Sequence, residues 1–135
     1  PIKEPFTCRT YTASDHIEQI ETLVQSLPAI QFKIAERVLV SDSVAEMVRY
    51  PNVTLYSGIN YLVDFDRELK EDCQVLLDIN HGEKTEEFLE YFTENGKPVL
   101  AFENTKTIDR GLLTYQTDQV GDMLDKLREC ARGWC

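Results

Sequence analysis

Residues 74–102, QVLLDINHGEKTEEFLEYFTENGKPVLAF, constrain the fold more than any other part of the chain, because they spell strand, polar turn, helix, glycine stop and strand in succession. Val75, Leu76 and Leu77 form a continuous apolar run suited to a strand covered on both faces. Asp78, Asn80, His81 and Gly82 then crowd polar groups where that strand should end, which is where open α/β sheets bind ligands. Downstream, Phe88, Leu89 and Phe92 share one helical stripe, Asn95-Gly96 suits a left-handed cap, and a strand restarts after Pro98. The segment reads as one βαβ unit.

The same logic extends along the chain. Residues 6–13 have the composition of a first strand, and Ser14 or Asp15 can cap the helix that follows. Glu18 then completes a capping box, with Ile17, Ile20, Val24 and Leu27 on one face. Pro28 ends that helix, and Ile30, Phe32 and Ile34 alternate as a second strand that Val38, Leu39 and Val40 could extend or shift. Ser43 opens a short helix carrying Val44, Met47 and Val48, which Tyr50-Pro51-Asn52 stops before a third strand over 53–56. Residues 61–71 carry a weaker helical pattern leading into strand four. After a fifth strand over 99–102, residues 112–115 offer a sixth, and Val120, Met123, Leu124, Leu127 and Ala131 recur at helical spacing.

Strands alternating with helices at this pitch predict an α/β fold, a Rossmann-like three-layer sandwich around a mostly parallel sheet of five or six strands. With strand order 3-2-1-4-5 the switch point lies between strands one and four, so the turns 13–15 and 79–83 face one crevice. No repeat or linker divides residues 1–135, which read as a single domain.

Composition excludes several functions. The formal charge of −10 argues against phosphate-backbone binding, so no nucleic-acid partner is expected, and no apolar run approaches the roughly 20 residues that cross a bilayer. The chain begins at Pro1 without a secretory signal, and it reads as a cytoplasmic piece of something longer. Cys8, Cys73, Cys130 and Cys135 show no CxxC pattern, and reduced thiols fit best. Asp64, Asp66, Glu68, Glu71 and Asp72 suggest a hard-cation cluster but lack an EF-hand pattern and read as a solvated face, so no metal is expected.

The turn Asn80-His81-Gly82-Glu83 offers free backbone N–H groups and a helix start to an anion. Equally, Asn80 could cap the helix, Gly82 relieve a tight turn and Glu83 complement the helix dipole with no ligand at all. With Ser14 from the first turn and Thr85 beyond, these residues form the candidate ligand pocket: Ser14, Asn80, His81, Gly82, Glu83 and Thr85. Neither G-x-G-x-x-G nor GxxxxGK[ST] is present, so no dinucleotide cofactor and no phosphate-loop chemistry are expected, and no residue is assigned a catalytic role.

The stretch CQVLLDINHGEKTEEFLEYFTENGKPVLAFENT resembles the donor-side motif of GT-B glycosyltransferases, in which a strand runs into an E-G-F-G-like turn and a helix ending in G-x-P. RTYTASDHIEQIETLVQSLP, QFKIAERV, MVRYPNVTLYSGI and LDINHG together are similar to the C-terminal half of the stabilising subunit that partners the O-GlcNAc transferase of bacterial accessory secretion systems. The resemblance covers about residues 9–105, with YPNVTLY and LDINHG its most specific points. It implies a GT-B C-terminal lobe without transferase activity of its own. Such a lobe would bind a catalytic glycosyltransferase subunit and help present serine-rich-repeat adhesins, the acceptor proteins, for glycosylation. Retaining GT-B enzymes place a second Glu eight residues after the first, and counting from Glu83 reaches Tyr91. A phenol cannot supply a carboxylate's bidentate acceptance, so nucleotide-sugar binding is expected to be weak. Two alternatives stay open: the sugar-nucleotide lobe of an active transferase, in which Gly82 and Thr85 help hold the diphosphate and Glu83 contacts the donor, and an unrelated Rossmann-like binding domain.

Overall fold

Six strands pair side by side in the order β3-β2-β1-β4-β5-β6. They are β1 (Thr7–Thr12), β2 (Gln31–Glu36), β3 (Val53–Tyr56), β4 (Val75–Asp78), β5 (Val99–Phe102) and β6 (Leu113–Tyr115), and every pairing is parallel. The computed structural model describes residues 6–12, 16–36, 45–56, 73–81, 86–106 and 112–133. Three helices accompany the sheet among these residues: α1 (Ile20–Ser26), α2 (Glu86–Glu94) and α3 (Val120–Ala131).

The apolar runs exist because both faces of the sheet are covered. Cys8, Phe32, Ile34, Val75, Leu77, Leu100 and Phe102 meet Leu23 and Val24 of α1 and Met123 and Leu127 of α3 on one face. On the other, Leu76 and Val99 meet Leu89 and Phe92 of α2. Each such side chain removed from water contributes about 1.5–3 kcal/mol, so the alternating faces fix the register of the whole sheet. The result is the expected three-layer α/β architecture.

Two anchors explain the sequence stops. Gly96 adopts φ +69°, the left-handed conformation that ends α2 and lets the chain turn into β5. Asn52, 4% exposed, directs its amide Nδ2 at the carbonyls of Val24, Leu27 and Ile30, each 3.1 Å away. It thereby braces the turn from α1 into β2, where the Leu27 carbonyl also accepts from the Ile30 N–H.

Two expectations need correction. The first helix does not start at Ser14 or Asp15: it begins at Ile20, with Gln19 at its cap in a left-handed conformation (φ 57°) and no side-chain capping bond. The capping box fails because Ile17 bridges Asn80 and the Glu18 N–H donates to the Ile79 carbonyl, which ties these residues to the exit of β4 instead. Of the helix expected from Ser43, the described residues hold Ala45 in α-helix and its 3-10 continuation over Glu46–Arg49, which buries Met47 and leaves Val48 54% exposed. Ser43 and Val44 lie outside the described residues, as do 38–40 and 61–71. Cys8 and Cys73 are buried thiols outside any disulfide, but Cys130 is disulfide-bonded, contrary to the reduced state expected for it.

Candidate functional site

The crevice predicted at the switch point is where β1 and β4 end side by side. β1 leads into residues 16–18, which turn back against the exit of β4. Ile17 forms an antiparallel bridge with Asn80, the Glu18 N–H donates to the Ile79 carbonyl at 2.8 Å, and the His81 N–H donates to the His16 carbonyl at 3.1 Å. Two segments more than 60 residues apart in sequence are thus stitched together by backbone bonds.

Beneath this bridge the polar groups serve the fold. Thr12 donates its hydroxyl to Asn80 Oδ1 at 2.6 Å, and both residues are buried. Thr10 donates to the Leu77 carbonyl, and the Thr105 hydroxyl donates to the Asp78 carbonyl at 2.8 Å, joining the ends of β4 and β5. Asn80 therefore ties β1 to β4. The helix-capping alternative for Asn80 involves residues outside the described ones.

Above the bridge sits a cluster that does not serve the core. The imidazoles of His16 and His81 stack with centroids 4.0 Å apart and planes inclined by 20°. His81 Nε2 lies 3.2 Å from Glu18 Oε1, and Asn104 donates Nδ2 to the same oxygen at 2.9 Å. The Asn104 hydrogen bond, helped by that of His81 and by both imidazoles, holds the Glu18 carboxyl below its ordinary range, against partial burial that acts the other way. One nitrogen of each histidine and one oxygen of Glu18 all lie within 4.8 Å of one another, a donor set that could accept a metal ion.

Of the predicted pocket residues, the structure brings Asn80 and His81 into the crevice, one buried and one at its rim. Ser14, Gly82, Glu83 and Thr85 lie outside the described residues. His16, Glu18 and Asn104 were not foreseen as site residues. A signal for them existed: the chain holds only two histidines, one beside each of the two turns predicted to face each other. Tyr91 sits in α2 and packs on the cluster around Leu76, Phe92 and Val99, with Lys97 Nζ 5.9 Å from its ring centroid. A separate cavity of about 280 Å³ lies among Leu27, Pro28, Ile30, Arg128, Ala131 and Arg132, at the opposite edge of the sheet.

The GftB/GlyA-F C-terminal domain family model matches residues 9–133. The chain belongs to this family. It is 68% identical over 132 residues to the glycosyltransferase GlyA of Streptococcus pneumoniae serotype 4 (strain ATCC BAA-334 / TIGR4), a match that covers 98% of this chain and 19% of that protein. It is 38% identical over 94 residues to the UDP-N-acetylglucosamine--peptide N-acetylglucosaminyltransferase stabilizing protein GtfB of Streptococcus gordonii, covering 70% of this chain and 20% of that one. Among solved structures, the GtfA/B complex bound to UDP and GlcNAc superposes with a TM-score of 0.77 at 31% identity, over 92% of this chain and 28% of that one. This GftB/GlyA-F domain thus has the GT-B-like Rossmann fold expected from its sequence, and it spans about a fifth of the length of the two relatives compared.

Proposed function

We propose that residues 1–135 form a single Rossmann-like domain, the C-terminal lobe of a longer, cytoplasmic GT-B-like protein. In this reading the lobe carries no transfer chemistry of its own. It supports a catalytic glycosyltransferase subunit that modifies an adhesin-type acceptor protein. The resemblance to the stabilizing protein GtfB and to the GtfA/B complex supports this reading.

The observation that carries it is the state of the crevice. Where a nucleotide diphosphate would enter a GT-B lobe, this chain sets its own β-bridge between Ile17 and Asn80 and, above it, the carboxylate of Glu18. A diphosphate approaching that edge meets like charge on a chain already at −10, and charge repulsion together with a filled backbone edge disfavours tight binding. Tyr91 adds to this, because its ring packs in a helix–sheet cluster.

A second reading, the sugar-nucleotide lobe of an active transferase, is favoured by the 68% identity to the glycosyltransferase GlyA. The two readings separate experimentally. Under the first, UDP-GlcNAc gives no saturable heat with the chelator-treated domain, while the longer protein co-purifies with a catalytic glycosyltransferase. Saturable micromolar binding that Glu83→Ala abolishes would favour the second. Failure of the longer protein to retain any glycosyltransferase subunit would overturn the first.

A further inference from the structure

The geometry points to a divalent transition-metal site of the zinc class formed by His16, Glu18 and His81 at the mouth of the crevice. The three side chains come from two segments fixed to each other by the Ile17–Asn80 bridge and its flanking hydrogen bonds, so their backbones are set before any ion arrives. Two imidazoles and one carboxylate are the donor set that borderline cations select, whereas magnesium and calcium require mostly oxygen ligands.

The distances suit such an ion. Ligand atoms about 2.1 Å from a tetrahedral zinc stand roughly 3.4 Å apart. His81 Nε2 and Glu18 Oε1 are 3.2 Å apart, and no pair in the trio exceeds 4.8 Å. The last torsion of histidine is broad and shallow, so the His16 ring, stacked on His81, has freedom to turn toward the ion. Asn104, bonded to Glu18, is the outer partner that orients the carboxylate. His81 and Glu18 side chains are 26% and 18% exposed, so an ion could reach them from solvent while being partly shielded from it.

Three protein ligands leave a fourth position open to water or to an oxygen of an anionic ligand. An ion there would clamp the loop leaving β1 to the segment leaving β4 and would reverse the sign of charge at an acidic crevice. The inference stands apart from the proposed function, because its test uses metal alone.

The test titrates tag-free full-length chain, stripped with chelator, with zinc chloride, followed by calorimetry and by thermal unfolding. The expected result is one zinc per chain and a raised unfolding midpoint. His16→Ala, Glu18→Gln and His81→Ala should each weaken binding at least about tenfold, with magnesium giving no heat. A second readout needs no substitution: because the chain has only two histidines, both sets of imidazole NMR signals should shift together with the first equivalent of zinc. No binding up to about 100 µM zinc, a His16→Ala/His81→Ala variant that binds as tightly as the parent, or imidazole signals that stay in place would each overturn the site.

Discussion

His81 Nε2 lies 3.2 Å from Glu18 Oε1 although 63 residues separate them in sequence. The contact reports directly that the exits of β1 and β4 share one edge of the sheet. It also makes the crevice sensitive to acid. The Glu18 carboxyl is held below its ordinary value of 4.5, chiefly by the hydrogen bond from Asn104. The unfolded chain therefore takes up a proton more readily, so this contribution to stability is complete above pH 4.5 and fades as the pH falls through the lowered folded value. In chelator, the urea midpoints of the parent and Glu18→Gln should differ most near neutrality and converge in acid. A gap independent of pH would remove the carboxylate from the explanation.

Asn52 is expected to be the most sensitive polar position in the described fold. Asn52→Leu removes the amide that faces the carbonyls of Val24, Leu27 and Ile30, of which Leu27 keeps the Ile30 N–H, and should destabilise the domain by about 2 kcal/mol in denaturant unfolding. A loss within error would mean that water replaces the amide without penalty.

The two glycines Gly96 and Gly121 should respond in opposite directions to alanine. Gly96 holds φ +69°, so Gly96→Ala strains the backbone and should cost about 1 kcal/mol. Gly121 lies in the first turn of α3 with nothing within 4 Å of an added Cβ. Gly121→Ala should stabilise by about 0.5 kcal/mol, because it narrows the unfolded ensemble. Thermal midpoints of both variants on one instrument decide the pair.

Cys8 is packed beneath α1 and α3, and burial pushes its thiol far up, with Cys73 adding to the effect. The unfolded chain ionises that thiol first, so stability should be full below the ordinary value of 9.0 and decline as the pH rises past it. A Cys8→Ala variant should show a flatter alkaline limb in denaturant midpoints. Native Cys8 should also resist a thiol reagent until the protein is unfolded.

The parts of the fold that were legible are those in which one physical signal dominates. Val75 to Leu77 declared a doubly covered strand, Phe88, Leu89 and Phe92 a helix with one buried face, and Gly96 its stop; each does what its residue type requires. The strand order 3-2-1-4-5 was assumed from the Rossmann type rather than read from any residue, and the structure has it, which puts the exits of β1 and β4 side by side. The start of α1 was not legible, because Asp15 and Glu18 offer a sound local cap and the decision between cap and bridge is made by Ile79 and Asn80, more than 60 residues away. The site failed for the same reason. His16 acquires chemical meaning only when His81 stands against it, and spacing along the chain does not carry that information. Asn52 falls between these cases: it belongs to YPNVTLY, yet the motif does not say which carbonyls its amide will meet.

All five pairings in the sheet being parallel has a consequence for biosynthesis. No two neighbouring strands can zip from a hairpin, and central β1 acquires one flank from β2 soon after synthesis but the other only from a partner 67 residues downstream. A nascent polypeptide that has not yet exposed Val75 outside the ribosome therefore presents β1 as an unprotected edge. During that interval the growing chain depends on chaperones or on speed to escape aggregation.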